Sequence, residues 1–317
     1  MLHSAVPPMH IPDGFLSTAV ALVLWAISVA LIGYALKRVG QDLGERQVPV
    51  MGVLAAAIFA GQMLNFSISG GTSGHLLGAA LATILLGPWA AVVVMTSVGS
   101  IQALIFQDGG LLALGANLFN MALIGVAVSH FAYASLRKLV PPKPAGVFVG
   151  GALAAWLSIV IASLACALEL ALSGTSPASM AVPSMAGIHM LIGLGEAGIT
   201  VGALAFLYTA RRDLLRLGGA APKGSAAVWV GGAAISAVLA ILSPLASANP
   251  DGLEWVARQQ GFLGAARDPF YEFVPDYIFP GIANEALATI LAAVVGVLLV
   301  FGTALGAAHV RRTKRSP

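Results

Sequence analysis

Long apolar runs, separated by short polar or basic segments, make up most of the chain. A helix needs about 20 mainly apolar residues to cross a bilayer, and the pattern predicts nine candidate spans. They cover residues 16–36, 49–66, 76–87, 88–106, 112–136, 145–173, 187–210, 226–247 and 285–308. The third run is short and is separated from the fourth only by Gly87 and Pro88. Because proline interrupts helices, we expect a tight reversal there; the alternative is a kinked span with a re-entrant piece.

The basic residues orient these spans. With the N-terminus outside, 14 of the 16 Lys and Arg residues fall in inner loops or the C-terminal tail, and only Arg258 and Arg267 fall outside. Positive charges concentrate on the cytoplasmic side of membrane proteins, so the pattern predicts an N-outside, C-inside topology. The predicted outer segments are the N-terminal segment, 67–75, 107–110, 174–186 and 248–284.

Composition supports an integral membrane protein. Of the 317 residues, 58% are hydrophobic and only 9% are charged, and the mean hydropathy is +0.92. Soluble domains carry about 25% charged residues, so this chain cannot cover itself with a solvated surface. The net charge of +3 comes from loop residues and does not indicate a nucleic-acid partner. We expect an all-α, multi-pass protein of the cytoplasmic membrane, with about nine helices in the lipid bilayer.

The organisation changes at residues 211–225, which are basic and contain Gly, Ala and Pro. Before this stretch lie seven predicted spans with short loops, and after it two spans enclose a larger outer loop. We therefore predict a seven-helix binding module at 9–210, a cytoplasmic linker at 211–225 and a two-helix appendage at 226–317.

Two of the six histidines lie in surroundings typical of a site on the outer face. His10 belongs to a turn that also contains Asp13, and His75 lies in a Gly-rich turn beside Ser73. Imidazole suits Ni, Cu, Zn and Fe, so the pair is a candidate transition-metal site. The structural alternative is that His10 merely precedes a membrane anchor.

A set of four nitrogen ligands is available if the mature chain begins at Met9. Its free amine, the amide nitrogen of His10 and the His10 imidazole would occupy adjacent chelate positions, and His75 would supply the fourth nitrogen. A square-planar nitrogen set is typical of Ni(II) or Cu(II). The ligands must be deprotonated, so we expect binding to fail at low pH.

Other polar residues are candidates for orienting the metal ligands without binding the metal themselves. Asn117 and Asn120 are three residues apart and share a helix face, and His189 is predicted at the outer start of the seventh span. Glu196, which has glycines close on both sides, either stabilises a cation or bonds across helices, the second being the simpler role. The supporting group is completed by Asp13 and Ser73.

The absence of two well-known sequence motifs excludes two classes of function. The sequence has no Gly-Lys dipeptide, so it lacks a Walker A phosphate loop, and no His is followed by Glu, which excludes a zincin motif. An intramembrane metalloenzyme with Asp13 or Asp108 as its base would need an open coordination position, which a filled four-nitrogen plane does not leave. A structural membrane module without a ligand is a third alternative.

Several stretches resemble the CbiM/NikM family, the substrate-binding components of energy-coupling-factor transporters for cobalt and nickel. Residues 9–16 (Met-His-Ile-Pro-Asp-Gly-Phe-Leu) resemble the family's opening. Similar motifs follow at 70–78 (Gly-Gly-Thr-Ser-Gly-His-Leu-Leu-Gly), 85–89, 102–106, 108–111, 114–121 and 189–197. The resemblance covers about residues 9–210. Residues 250–254 (Pro-Asp-Gly-Leu-Glu) resemble the signature of the PDGLE domain, an accessory two-helix component often fused to the binding subunit in nickel systems.

The resemblance implies a seven-helix bundle with its N-terminus threaded into the core, and a metal held by Met9, His10 and His75. It implies a substrate-capture subunit, not an enzyme, for Ni(II) import across the cytoplasmic membrane. Co(II) import for cobalamin synthesis is the alternative, and the PDGLE-like segment favours nickel. The implied partners are a transmembrane T-component and two ATP-binding-cassette ATPases. Residues 1–8 would remove the free amine, so we expect Met9 to be the true initiator and 1–8 to be a mis-called leader.

Overall fold

The computed structural model describes residues 9–42, 47–139, 144–215 and 226–313, so the predicted leader at 1–8 and most of the predicted linker, 216–225, lie outside the described residues. Within them, ten α-helices and one β-hairpin follow each other along the chain. They are α1 Thr18–Asp42, α2 Gln47–Gln62, β1 Phe66–Ile68, β2 Thr72–Gly74, α3 Ala79–Leu86, α4 Pro88–Phe106, α5 Leu114–Leu139, α6 Pro144–Leu172, α7 Ala178–Ala210, α8 Ala226–Leu242, α9 Gly252–Gln260 and α10 Glu285–Thr313. Helix α5 contains a π-helical stretch, Phe119–Ile124, and short 3-10 helices lie at Arg212–Leu215, Ser243–Leu245, Leu263–Ala265 and Pro275–Tyr277.

Seven helices of the described part are long and apolar enough to cross a membrane: α1, α4, α5, α6, α7, α8 with its 3-10 extension, and α10. The expected all-α membrane fold is confirmed, whereas the count of nine spans is only approximate. The predicted span at 49–66 corresponds to α2, which is apolar but has 16 residues. The predicted span at 76–87 corresponds to α3, which has eight residues.

The chain just before α3 lies in the bundle as irregular backbone, so α3 has only eight residues. A helix of this length is too short to cross a bilayer. Eight residues of helix rise only about 12 Å. The helix begins after Gly78, whose φ is +81°, and the Glu196 carboxylate on α7 accepts the N–H groups of Leu77 and Gly78 at 2.6 and 2.9 Å. Irregular backbone is tolerated at membrane depth where it is buried in protein, and Leu76 and Leu77 are both buried.

Helix α7 begins at Ala178, nine residues before the predicted start at 187. The outer loop expected at 174–186 is therefore only 173–177, and His189 lies roughly three turns inside the helix instead of at its start. Pro183 lies inside α7. Because it falls in the second turn, it removes one backbone hydrogen bond without ending the helix.

The helices that follow the linker pack against the bundle. Helices α8 and α10 both contact α2, and α10 also contacts α1 and α4. Helix α6 packs along α7 and also contacts α5. The outer connections meet at one end: Gly110 N–H donates to Ile11 O at 2.9 Å, and Arg267 N–H donates to Asp13 O at 2.8 Å. Residues 246–284, called here the 246–284 segment, lie at this end.

Candidate metal centre

The N-terminal segment is buried in the bundle and is oriented by Asn117 on α5. Met9, His10 and Ile11 are all buried. The Asn117 side chain accepts the Ile11 N–H and donates to Ile11 O, both at 3.0 Å. This two-way pairing fixes the backbone next to His10.

Asp13 fixes the same segment at its other end. Its carboxylate accepts the N–H groups of Leu111 and Ala113 at 3.1 and 2.9 Å. These bonds tie the N-terminal turn to the connection that leads into α5. The structure therefore engages Asp13 with backbone, and Asp13 is not among the residues that line the cavity beside His10.

Asp108 joins the two N-terminal candidate ligands. Its Oδ1 accepts the Met9 N–H at 2.8 Å and lies 2.9 Å from His10 Nδ1. Its Oδ2 accepts the hydroxyl of Tyr277 at 2.6 Å. Burial tends to raise the pKa of Asp108, but His10, Tyr277 and the Met9 N–H together lower it below its ordinary value. Sequence reasoning considered Asp108 only as an enzymatic base and missed this role, because nothing local in the sequence links it to His10.

His75 follows the β1–β2 hairpin, in which Phe66 pairs with Gly74. Its Nδ1 lies 3.0 Å from Leu76 O, which only accepts hydrogen bonds, so this contact favours a proton on Nδ1 and the lone pair on Nε2. This is the tautomer in which histidine binds a metal through Nε2. Burial lowers the pKa of His75 to about 4, so the ring is neutral at physiological pH.

The rings of His10 and His75 lie close together, with centroids 5.5 Å apart and ring planes at 61°. His10 is 6% exposed, and its Nε2 has no hydrogen-bond partner among the described residues. Two imidazoles bound to one ion through nitrogens at about 2.0 Å have centroids roughly 4.5–6.5 Å apart. The spacing of the two rings is therefore compatible with a shared metal ion.

Both rings line a cavity of about 90 Å³. Asn120 also lines it, within the π-helical stretch of α5, and donates to Glu169 on α6 at 2.8 Å. His189 lines it from α7, with Nδ1 tied to Met185 O at 2.8 Å. These two supporting candidates thus reach the cavity, whereas Glu196 acts through the backbone in front of α3.

The 246–284 segment forms part of the same cavity wall, which the sequence did not predict. Asp251, Gly252 and Leu253 line it at the start of α9. Asp251 caps that helix by accepting the Glu254 N–H at 2.7 Å, and a Cβ at Gly252 would lie 2.9 Å from His189 Cε1. An Asp followed three residues later by Glu resembles a capping box, so the helix start could have been found, but its position at the cavity could not.

Ser73 holds this segment in place and does not line the cavity. Its N–H donates to Pro250 O at 2.8 Å, and its hydroxyl donates to Asn249 O at 2.8 Å. The hairpin that presents His75 is therefore hydrogen-bonded to the residues that immediately precede Asp251.

Two family models match the chain. The CbiM model, described as a cobalt uptake substrate-specific transmembrane region, matches residues 10–214, and the PDGLE domain model matches residues 226–313. The chain belongs to the CbiM/NikM family. It carries a PDGLE domain fused to its C-terminal side.

Similar proteins are nickel and cobalt transport proteins. The putative fused nickel transport protein NikMN of Archaeoglobus fulgidus is 36% identical over 308 residues, covering 96% of this chain and 100% of that protein. The cobalt transport protein CbiM of Sorangium cellulosum is 31% identical over 214 residues, covering 65% of this chain and 94% of that protein. The crystal structure of a truncated transition metal transporter has 37% identity and a TM-score of 0.57, covering 64% of this chain and 99% of that one. This CbiM/NikM protein is therefore a multi-pass membrane component of nickel or cobalt transport, not an enzyme.

Proposed function

We propose that this protein captures Ni(II) at the outer face of the cytoplasmic membrane for import. The observation that carries the proposal is the pair of His10 and His75 at one cavity, whose ring centroids are 5.5 Å apart. Neutral imidazole is a preferred ligand of Ni, Cu, Zn and Fe. A proton on Nδ1 of His75 would leave the Nε2 lone pair for a metal. His10 Nδ1, the ring nitrogen that can share an ion with its own amide nitrogen, lies beside Asp108.

The proposed ligands are the Met9 nitrogen, the amide and imidazole nitrogens of His10, and the His75 imidazole. Asp108 supports this assignment because its Oδ1 contacts both Met9 N and His10 Nδ1. Both nitrogens lie within 2.9 Å of the same oxygen and are therefore close enough together to bind one ion. The free amine of a chain beginning at Met9 would complete four nitrogen ligands in one plane, the geometry typical of Ni(II).

Nickel is favoured over cobalt by the extent of the similarity. The fused relative that matches 96% of the chain is named a nickel transport protein, whereas the cobalt transport protein covers only 65% of it. The ligand types do not separate the two metals, because affinity rises by only one step from Co to Ni. Co(II) therefore remains the second candidate for the transported ion.

We further propose that residues 9–210 form the capture module, 226–317 the accessory module and 211–225 the connection. The absence of a Walker A motif from the sequence supports an energy-coupling-factor arrangement in which a transmembrane T-component and two ATP-binding-cassette ATPases drive import. Uptake of Ni(II) into vesicles should then require those subunits and ATP in addition to this chain.

The deciding experiment titrates the purified full chain, and a form beginning at Met9, with Ni(II) and Co(II) in competition. We expect tight Ni(II) binding with the yellow band of a low-spin square-planar centre, at least in the form beginning at Met9. His10→Ala and His75→Ala should weaken binding by about 100-fold or more. The matched control is His130→Ala, which removes a histidine from the inner half of α5.

Three results would change the proposal. Preference for Co(II) would mean that the protein captures cobalt instead of nickel for import. Equal binding by wild type and His75→Ala would remove the proposed site. No binding by either form of the chain would overturn metal capture by this protein.

A further inference from the structure

Tyr277 links the 246–284 segment to the proposed nickel ligands. It is 3% exposed, and its hydroxyl donates to Asp108 Oδ2 at 2.6 Å. The other oxygen of the same carboxylate contacts Met9 N and His10 Nδ1. A single carboxylate therefore connects a residue of the PDGLE domain to two donors that belong to the N-terminal segment.

The Tyr277 ring is held on the bundle by aromatic packing. It stacks on Phe106 with centroids 4.8 Å apart and an interplanar angle of 14°, and it lies 6.2 Å from the ring of Phe59. The backbone is anchored as well, because Val274 N–H donates to Ile105 O at 3.1 Å. The hydroxyl consequently reaches Asp108 from a rigid position.

Backbone strain is concentrated around this contact. In the described residues, the non-glycine positions with positive φ are Gln107 (φ +55°), Asp276 (φ +52°) and Tyr277 (φ +58°). One precedes Asp108 directly, and the other two are Tyr277 and its neighbour. Such conformations cost about 1–3 kcal/mol each and tend to persist at functional sites. All three strained residues flank the hydrogen bond between Tyr277 and Asp108. This indicates that the position of the bond is functionally important.

We propose that Tyr277 is a positioning residue for nickel capture. It fixes the Asp108 carboxylate, and Asp108 in turn holds Met9 and the His10 ring in the arrangement that receives the ion. The PDGLE domain thereby completes the metal centre of the bundle to which it is fused. This inference rests on the proposed function and assigns to the accessory domain a part in the affinity for the metal.

The chemistry of the bond gives the expected size of the effect. A hydroxyl that donates to an ionised carboxylate makes a charge-assisted hydrogen bond, which is stronger than a neutral one. Groups that orient metal ligands typically contribute 10–100-fold to metal affinity. Without the hydroxyl, Oδ2 loses the partner that fixes the rotation of the carboxylate.

The test uses the full chain and Tyr277→Phe, which removes the hydroxyl and retains the stacked ring. Competition titration with Ni(II) should show an affinity about tenfold lower than that of wild type. Tyr271→Phe is the matched control: Tyr271 belongs to the same segment, and its hydroxyl donates to Leu104 O at 3.1 Å instead of to Asp108. Its affinity should stay within about twofold of wild type.

A double-mutant cycle separates positioning through Asp108 from a general loosening of the segment. In the Asp108→Ala background, Tyr277→Phe should cause little further loss, since the side chain through which it acts is absent. Full additivity of the two losses, an equal loss in Tyr271→Phe, or wild-type affinity in Tyr277→Phe would each overturn the inference. Wild-type binding that depends on His75 shows independently whether the proposed function holds, so the two failures are distinguishable.

Discussion

His10 and His75 line one cavity but differ in how firmly they hold a proton. Burial lowers the pKa of His75 to about 4. Burial also acts to lower the pKa of His10, but the charge and hydrogen bonding of Asp108 outweigh it, and the net pKa lies above 6.5. A metal that binds His75 displaces no proton from a cationic ring near neutral pH. A metal that binds His10 competes with the proton that Asp108 stabilises.

The affinity for Ni(II) should therefore fall as the pH decreases through the pKa of His10. Because that pKa is raised, the protonated ring persists to higher pH than in free histidine, and the neutral ring needed for metal binding is the minor form below it. Each displaced proton reduces the affinity about tenfold per pH unit. The His10 ring contributes one such factor below its pKa, in addition to the protons that the Met9 and His10 backbone nitrogens release. Competition titrations between pH 5.5 and 8.5 measure this slope.

Asp108→Asn provides the comparison for this pH dependence. Without the carboxylate, burial is left as the main influence, so the pKa of His10 should fall below its ordinary value. The decline in affinity should then begin at a lower pH than in wild type, although affinity at high pH is also reduced by the loss of the contact with Met9. Superimposable slopes in the two proteins would contradict the role assigned to Asp108 in holding the proton.

At the scale of single elements, the short helix α3 depends on Glu196 of α7. The first N–H groups of a helix have no partner within it, and Glu196 accepts those of Leu77 and Gly78 just ahead of α3. Glu196→Ala leaves both buried donors without an acceptor, at a cost of about 1–3 kcal/mol each. We expect a lower midpoint of thermal unfolding in detergent and weaker Ni(II) binding, since His75 lies two residues before Leu77.

Glu169→Ala is the control for this prediction. Glu169 is also a buried carboxylate within a membrane helix, but it accepts one hydrogen bond, from the Asn120 side chain. Its replacement should lower the midpoint less than Glu196→Ala. An unchanged midpoint together with unchanged Ni(II) affinity in Glu196→Ala would show that the backbone ahead of α3 does not need this carboxylate.

Sequence analysis predicted correctly the helices whose own residues form a long apolar run. Helices α1, α4, α6 and α10 appear as long apolar runs because lipid and neighbouring helices surround them along their whole length. Helix α3 and the extended α7 depend on distant contacts: Glu196 is about 119 residues from Leu77, and hydropathy does not report such pairing. Apolar runs therefore indicated where helices lie but not where α3 is interrupted.

In the candidate site, too, features of the local sequence could be predicted and distant contacts could not. The turns that contain His10 and His75 could be recognised from their residue types, and the structure brings the two rings together. Residues 108–111 could be recognised as a motif, but the link between Asp108 and Tyr277 could not be recognised, because their hydrogen bond spans 169 residues. The glycine of the PDGLE signature is explained only by its close approach to α7, at Ile188, His189 and Ile192.

At the scale of the whole molecule, the 246–284 segment crosses the outer end of the bundle and contacts each connection that forms the candidate site. Pro250 O accepts from Ser73 N–H, Arg267 N–H donates to Asp13 O, and Tyr277 bonds to Asp108. With His10 only 6% exposed, the ion has little access to the ring in this arrangement. We therefore expect the segment to separate from the hairpin when the ion enters from the outer face.

A reversible tether between the hairpin and the segment tests this expectation. The hydroxyls of Ser67 and Ser247 are 2.9 Å apart at the exposed edge, a spacing suited to a disulfide with an S–S length of about 2.0 Å after small adjustments. The pair Ser67→Cys and Ser247→Cys is introduced into a Cys166→Ala chain, which removes the single native thiol. Stopped-flow mixing with Ni(II) should show association at least about tenfold slower in the oxidised protein, with recovery after reduction.

The two single-cysteine variants control for the substitutions, and the Cys166→Ala chain controls for the change in the cavity wall. Equilibrium affinity should change much less than the association rate, because the tether holds the arrangement that the bound state shares and hinders only the path to it. Dissociation should slow in parallel with association for the same reason. Equal association rates before and after reduction would mean that the ion reaches His10 without separation of the hairpin from the segment.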